Sequence, residues 1–316
     1  MFSSTRKTLA NAFLLGSLLL TLNAWSSDVA CKLEELYSQK TTGILYQIKS
    51  ENQPTSFLFG TMHIGTPRFS ELPITVKNAI NKSQVYLTES PIGNEARENF
   101  KLMTLLEKGQ TLRAMLRPDV YEKYQAWLNL LEMRTETQLQ MEAWHPTLLM
   151  GFLSGRPPET DGLERLDEKM LKFAVSQSLE IMSVENSIEW KSGRQSMTNE
   201  DWSNALNESL DEYKCSSCKK ERLLYMRCTL ELVRTGNAEG LFTLEKNFLS
   251  SRPGENIENE KTVVGRNQHQ ANNIDKLIKQ KAKPMFFTVG AGHIGGPLGV
   301  VQRLRDKGYI VEQVKE

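Results

Sequence analysis

The sequence predicts an α/β fold of mixed type, with a central mixed sheet built from the N- and C-terminal segments and a large, mostly helical insertion at residues 94–260. Short apolar runs rich in aromatic residues, 56–59 and 286–289, stand near opposite ends of the chain and are typical of buried strands. Between them, apolar residues recur at every third or fourth position, which is the helical period. These observations favour one sheet whose strands come from both ends of the chain.

The first 26 residues are predicted to be a signal peptide. Two basic residues precede an apolar stretch, 9–22, that is too short to span a bilayer comfortably. The small residues Ala24 and Ser26 then suit a signal-peptidase site with cleavage after Ser26. Cleavage after Ala30, an uncleaved anchor and lipidation of Cys31 are the alternatives. No second apolar run of membrane length occurs later in the sequence, so we expect a periplasmic or secreted protein without a membrane span in its mature chain.

After the signal peptide, two apolar runs separated by a polar turn predict strands at 44–48 and 56–59. Helical spacing then predicts a helix at 72–82, and a β-branched and aromatic run predicts a strand at 85–88. This strand ends directly before Glu89.

Residues 94–156 have the helical period, and a helix at 163–176 leads into an apolar strand at 179–184. This strand ends before Glu185, and helical spacing resumes over 186–250.

The last part of the chain returns to the sheet. Residues 251–256 are predicted to form a loop, and 258–281 a long helix. A strand at 286–289, a helix at 298–306 and a strand at 309–314 complete the pattern.

Charge and cysteine content restrict the class of protein. The chain has 39 Lys and Arg against 38 Asp and Glu side chains, a balance that argues against a nucleic-acid binder. Cys31, Cys215, Cys218 and Cys228 predict disulfides in an exported protein, with three possible pairings. Cys215 and Cys218 also match the spacing of a redox pair or half a zinc site, but no strand precedes them and no His lies near, which favours a structural bridge.

The most informative feature is a repeated turn. FLFGTMHIGTP at 57–67 and FTVGAGHIGGP at 287–297 share six of eleven positions, including a G-x-x-H-I-G core. Each turn comes directly after a predicted strand, so His63 and His293 should lie at the carboxyl ends of strands, where open α/β sheets bind ligands. Two structural turns would also fit, but their duplication favours a shared functional site.

Glu89 and Glu185 come after two other strands and should meet the histidines at that edge. Two imidazoles and one carboxylate, here His63, His293 and Glu89, suit zinc, manganese, cobalt or iron, with a position open for water. The other carboxylate, Glu185, is predicted to be a general base or to orient a histidine. Arg266 is predicted to stabilise an oxyanion or bind a substrate carboxylate, although a salt bridge would explain it too.

Other candidates are weaker. His145, before Pro146, is typical of helix-to-turn packing, and a solvated helix face explains His269. The glycines before His293 lack the third Gly and the acidic residue of a dinucleotide-binding turn. No nucleophile elbow, P-loop or H-E-x-x-H helix occurs in the sequence.

The repeated turns and the strand-end residues of this sequence resemble those of the TraB/GumN family. The relatives of that family include the Tiki membrane proteases and, more distantly, erythromycin-esterase-like and haem-binding ChaN-like proteins. The resemblance covers residues 36–316 and rests on four groups of residues. They are 58–65 with His63, the strand ending on Glu89, Leu166-Asp167 leading to Val184-Glu185, and Arg266-Asn267 with 289–293 and Gly296.

The resemblance implies a metal-dependent hydrolase fold, in which Tiki relatives act as manganese- or cobalt-dependent proteases. The residues of this sequence that match the family's functional motifs directly are His63, Glu89, Arg266 and His293. His269 stands where the family usually has an apolar residue. We therefore predict an exported metallohydrolase that uses manganese, cobalt or zinc and acts on a peptide or small molecule. A non-catalytic haem- or metal-binding protein, or a helical interaction module with purely structural turns, are the alternatives.

Overall fold

The computed structural model of the protein describes residues 31–131 and 133–315. The predicted signal peptide, residues 1–26, lies outside the described residues. Within the described ranges, no helix combines the length and the apolar character needed to cross a membrane.

A six-stranded mixed sheet confirms the predicted α/β fold class. The strands, in chain order, are β1 Ile44–Lys49, β2 Ser56–Thr61, β3 Val85–Thr88, β4 Glu180–Ser183, β5 Met285–Gly290 and β6 Ile310–Gln313. Their spatial order is β4-β3-β5-β2-β1-β6, so five strands come from the terminal segments and β4 from between them. β4, β3, β5 and β2 run parallel, whereas β1 pairs antiparallel with both β2 and β6.

The centre of the sheet is apolar on both faces. Every residue of β2 is buried, and so is all of β5 except its last residue, which is the pattern of strands covered on both sides. Phe286 packs against Phe57, Phe59 and Tyr86, with ring centroids 6.4, 6.4 and 5.7 Å away. This packing gives the loops at the strand ends a rigid base.

Helices fill the chain between β3 and β5 on either side of β4. The α-helices of the described residues, in chain order, are α1 Leu33–Ser38, α2 Ile74–Asn81, α3 Asn94–Thr104, α4 Leu112–Met115, α5 Pro118–Leu130, α6 Thr135–Met141, α7 Pro146–Ser154, α8 Leu166–Ser176, α9 Ser187–Gln195, α10 Asn199–Lys214, α11 Ser216–Arg234, α12 Ala238–Leu249, α13 Pro253–Glu258, α14 Gly265–Lys281 and α15 Val300–Asp306. Local sequence fixes several of their starts: α5 and α7 begin at proline, which suits the first helical position, and a capping box of Thr198 and Asp201 begins α10.

The helical region has its own hydrophobic cluster, separate from the one around the sheet. Tyr124, Trp127, Leu149, Trp202 and Leu206 belong to this second cluster and are almost completely buried. The helices between β3 and β5 are therefore packed against each other as well as against the sheet.

Residues 251–256, predicted to be a loop, instead lead into α13. Pro253 is the first residue of this helix, and the Glu208 carboxylate accepts hydrogen bonds from the backbone N–H groups of Gly254 and Glu255. The partner that caps this helix comes from α10, so the local sequence does not show it. A π-helical segment, Asn259–Val264, then joins α13 to α14; such segments are frequent at functional sites.

All four cysteines are paired, which settles the pairing that the sequence left open. Cys31 is bonded to Cys228 in α11 across 197 residues of sequence, which excludes lipidation of Cys31 in this arrangement. Cys215 is bonded to Cys218 at the start of α11, where the sequence favoured a structural bridge.

Candidate functional site

The four predicted strand-end residues meet at one edge of the sheet. His63 lies after β2, Glu89 after β3, Glu185 after β4 and His293 after β5, and these four strands are parallel neighbours. Backbone pairing continues past β3 and β4, since the N–H of Glu185 donates to the carbonyl of Glu89 at 3.1 Å. The carboxyl ends of the parallel strands thus bring the two acidic residues side by side, as expected from the sheet geometry.

Arg266, on α14, joins the two carboxylates. Its Nη2 donates to Glu89 Oε1 at 2.5 Å, and its Nε and Nη2 bind both oxygens of Glu185, with 3.0 Å for the Nε bond. The side chains of Arg266, Glu89 and Glu185 are 8%, 8% and 0% exposed. Arg266 is therefore part of a buried ion cluster and not of a surface salt bridge.

The ionisation of this cluster depends on its contacts. Burial lowers the pKa of Arg266, but the hydrogen bond with Glu185 and the charges of both carboxylates outweigh it and raise the pKa overall. Burial alone would raise the pKa of Glu89, yet His293 and the charge of Arg266 hold it well below its usual range. His293 Nε2 lies 3.6 Å from Glu89 Oε1, too far for a hydrogen bond, so Arg266 is the direct partner of the carboxylate.

Glu185 and Glu89 differ in what remains open to a ligand. Glu185 also accepts a hydrogen bond from Gln270 at 2.9 Å, and its side chain is fully buried. Glu89 accepts a bond at 2.5 Å from the backbone N–H of Gly290 and faces His293 with its other oxygen. Glu89 is thus the carboxylate that reaches the histidines, while Glu185 holds Arg266.

Both histidines are oriented through Nδ1. His63 Nδ1 lies 2.9 Å from Asp167 Oδ2, and His293 Nδ1 lies 2.6 Å from Asn267 Oδ1. The amide of Asn267 donates from Nδ2 to the Leu298 carbonyl at 2.9 Å, so its oxygen is the atom that faces the imidazole. In the neutral form of each ring the proton then sits on Nδ1, and Nε2 is left with a free lone pair.

This pattern fits metal ligands in part. A histidine that binds a metal usually gives its other N–H to a carboxylate or carbonyl oxygen, as both rings do here. The atoms left to bind a metal, His293 Nε2 and Glu89 Oε1, face each other. The His63 side chain, in contrast, is 60% exposed. No three His, Cys, Asp or Glu side chains in the described ranges are arranged to hold a metal ion, so a site made of all three predicted ligands requires a side-chain movement.

A cavity of about 410 Å³ opens beside these residues. His63, Glu89 and Asp167 belong to its polar part, together with Arg165, Glu168 and several hydroxyl side chains. Ile92 and Phe100, which are 46% and 60% exposed, belong to its apolar wall. Glu185, Arg266 and His293 are not part of this lining. The cavity therefore offers a bound molecule both an acidic, imidazole-bearing end and an apolar surface.

Sequence reasoning left three residues out of the site. Asp167, Asn267 and Gln270 each bind a predicted site residue through the contacts above. For Gln270 a signal existed, because a residue four positions after Arg266 lies on the same helical face. Asp167 and Asn267 are among the residues on which the family resemblance rests, but nothing local indicated which imidazole each would bind.

The two other histidines lie outside the site. His145 caps α7, accepts a hydrogen bond from the Thr147 N–H at 3.2 Å and packs edge-on against Trp202, as the sequence favoured. His269 is exposed on α14.

Comparison with known proteins gives one family. The model of the TraB/PrgY/gumN family matches residues 44–313, from the first residue of β1 to the last of β6. No curated protein and no solved structure is significantly similar to the chain.

Proposed function

Because the chain belongs to the TraB/PrgY/gumN family, whose model spans residues 44–313, we propose that it is an exported metal-dependent hydrolase that cleaves peptides. The predicted signal peptide and the two disulfides support export. The repeated G-x-x-H turns, the acidic strand end and the cavity support the activity.

One observation carries the metal part of the proposal. The two histidines lie at the ends of neighbouring strands, and each has Nδ1 held by an oxygen, of Asp167 or of Asn267. This leaves two Nε2 lone pairs as ligands, with Glu89 as the third. A manganese, cobalt or zinc ion held there would polarise a carbonyl and lower the pKa of water enough to supply hydroxide near neutral pH.

The remaining residues of the site keep the ligands in place. Glu89 stays ionised because its pKa is held low, and the Gly290 N–H fixes one of its oxygens. Arg266 offsets the negative charge of Glu89 and Glu185, since two adjacent buried carboxylates would otherwise repel each other. With its side chain fully buried and bound to Arg266, Glu185 acts by positioning Arg266, and this role differs from the two that the sequence suggested, a general base and a residue that orients a histidine.

The cavity supports a peptide substrate. A peptide bound there would have its scissile bond next to His63 and Glu89, and Ile92 and Phe100 would offer an apolar surface to a neighbouring side chain. Large apolar side chains exposed in a concave site usually mark a binding surface.

Metal content is the first test. Purified mature protein is reloaded with manganese, cobalt or zinc and measured by elemental mass spectrometry, for wild type and for His63→Ala/His293→Ala. His269→Ala is the matched control, because it removes an exposed histidine outside the site. We expect about one metal ion per chain in wild type and control and its loss in the double variant; equal metal content in all three would overturn the proposal.

Activity is the second test. A mixed peptide library is incubated with metal-loaded protein, and cleavage is followed by mass spectrometry with and without chelator. Cleavage that the chelator and the double variant both abolish supports the hydrolase. Stoichiometric metal without cleavage of any peptide would contradict the peptidase, and a Soret band on addition of haem that either His substitution removes would favour the haem-binding alternative.

A further inference from the structure

A second cavity, of about 600 Å³, lies on the other side of α3 from the site. Ala96 and Phe100 of α3 line the first cavity, whereas Lys101 and Leu102 of the same helix line the second. The proposed metal ligands are not part of the second lining, so this cavity is separate from the hydrolase site.

The cavity contains a neutral imidazole that acts as a donor. His145 is 4% exposed, and burial together with the nearby charge of Arg194 lowers its pKa to about 3. Because the backbone N–H of Thr147 donates to Nδ1, the ring proton resides on Nε2. Within the described part of the chain no side chain or carbonyl accepts this proton, so the Nε2–H is available to a ligand.

Arg194 supplies a positive charge, and its guanidinium uses only part of its capacity for hydrogen bonds and ion pairs. Its Nη1 donates to the carbonyl of Leu102, but its buried Nε has no hydrogen-bond partner among residues 31–131 and 133–315. No carboxylate in those ranges lies within ion-pair distance of the guanidinium; Glu107, also in the lining, attracts it only from further away. Burial lowers its pKa to about 10, so it stays charged at neutral pH.

The rest of the lining has an apolar and aromatic part and a polar part, which consists of Glu98, Lys101, Glu107, Lys108, Gln110, Gln195 and Asn199. Trp202 is almost fully buried against the His145 ring, 4.6 Å between centroids, and four apolar side chains complete the wall. They are Leu105, Leu106, Met115 and Met197. Lys101, which is paired with Glu98 at 3.0 Å, and Lys108 are both exposed, which leaves Arg194 as the inner cation of the lining.

We propose that this cavity binds a carboxylate attached to an apolar body, with Arg194 and His145 holding the carboxylate and the Trp202 side of the wall holding the body. A half-buried guanidinium such as that of Arg194 favours a carboxylate because it can donate two parallel hydrogen bonds to it. Two sources share this chemistry, a fatty acid and the C-terminal carboxylate of an apolar peptide.

The binding test uses probes for both sources. Calorimetric titration compares dodecanoate, below its micelle concentration, with dodecanamide, and N-acetyl-Phe-Leu as free acid with its amide. We expect at least one acid to bind and its amide to bind at least about tenfold more weakly, since a hydrogen bond to a charged group is lost. The binding acid should also raise the melting temperature. If neither acid binds, or if acids and amides bind equally, the proposal is overturned.

Variants locate the binding. Arg194→Gln should weaken acid binding at least about tenfold, whereas Arg194→Lys, which keeps the charge, should weaken it less. Arg156→Gln is the matched control, because Arg156 forms an exposed pair with Asp161. His63→Ala should leave acid binding unchanged, and loss of binding there would place the acid in the hydrolase cavity and overturn the proposal. If Arg194→Gln fails to fold, the Lys variant and the acid-to-amide ratio decide.

Discussion

Asn267 holds the imidazole of His293, with 2.6 Å between its side-chain oxygen and Nδ1. The same amide is anchored to the Leu298 carbonyl, so it cannot turn its nitrogen toward the ring without losing that bond. Asn267 is therefore the residue that sets the His293 tautomer and directs the Nε2 lone pair toward Glu89.

Asn267→Ala should weaken metal binding by about 10- to 100-fold, the usual effect of removing a partner that orients a metal ligand. Asn272→Ala, an exposed position on the same helix, should leave the affinity unchanged. Competition with a chelator measures the affinity, and the nitrogen chemical shifts of His293 report the tautomer. Unchanged shifts and affinity in Asn267→Ala would refute the positioning role.

Arg266→Ala should destabilise the metal-free protein by about 3–5 kcal/mol, because it leaves the buried carboxylates of Glu89 and Glu185 without their cation. Arg227→Ala is the control: its pair with Glu159 is 37% and 42% exposed, and such pairs contribute at most about 1 kcal/mol. Urea unfolding measures both. A loss in Arg266→Ala no larger than in the control would show that the cluster relaxes or takes up protons.

The His63–Asp167 pair should make stability depend on pH. The hydrogen bond with Asp167, together with the charges of Glu89 and Asp167, raises the pKa of His63 above its usual value. A raised folded-state pKa stabilises the protein fully below about pH 6.5, and this contribution is lost as the pH rises through the raised value. Asp167→Asn should therefore lower the pKa of His63 in a proton NMR titration of the metal-free protein.

The same substitution tests the sign of the effect. The stability difference between wild type and Asp167→Asn should be larger at pH 5.5 than at pH 8.5. A His63 titration that does not move in Asp167→Asn would mean that Asp167 is not its partner in solution.

The two disulfides should differ in their contribution to stability. Cys31–Cys228 closes 197 residues of chain, and chain entropy assigns about 5 kcal/mol to a loop of this size. Cys215–Cys218 spans three positions and should contribute about 2 kcal/mol or less. Urea unfolding of the two double Cys→Ser variants, without reductant, compares them; a larger loss from the short bridge would contradict this ranking.

The sequence predicted the sheet and its strand-end residues because both depend on local patterns. An apolar run that leads into a Gly turn defines where a strand stops, and parallel strands bring the residues after their carboxyl ends to one edge of the sheet. His63, Glu89, Glu185 and His293 were found in this way. Arg266 was also predicted as a site residue from the sequence, but its burial between two carboxylates depends on how α14 packs across the edge of the sheet.

The features that the sequence could not predict depend on contacts between distant segments. The cap of α13 is Glu208, 45 residues before Pro253, and the partners of the two imidazoles come from α8 and α14. The second cavity is made by segments of α3, α4, α9 and α10, by the loop after α3 and by His145 at the start of α7. None of these contacts leaves a periodic pattern in the sequence, so they are visible only in the three-dimensional structure.

The glycine of the second G-x-x-H turn gives a last test of the site. A Cβ at Gly290 would lie 3.2 Å from Glu89 Oε2 and 3.4 Å from His293 Cδ2, whereas a Cβ at Gly292 would meet its nearest atom, Glu245 Oε1, at an ordinary 3.7 Å. The Gly290 backbone, at φ −54° and ψ 139°, is allowed for alanine. Gly290→Ala should thus keep the fold but displace the Glu89 carboxylate and weaken metal binding at least about tenfold, while Gly292→Ala binds metal like wild type. Chelator competition on both variants, with circular dichroism to check folding, decides; equal affinities would mean that Glu89 is not a ligand, because a methyl group against its oxygen would then have no effect.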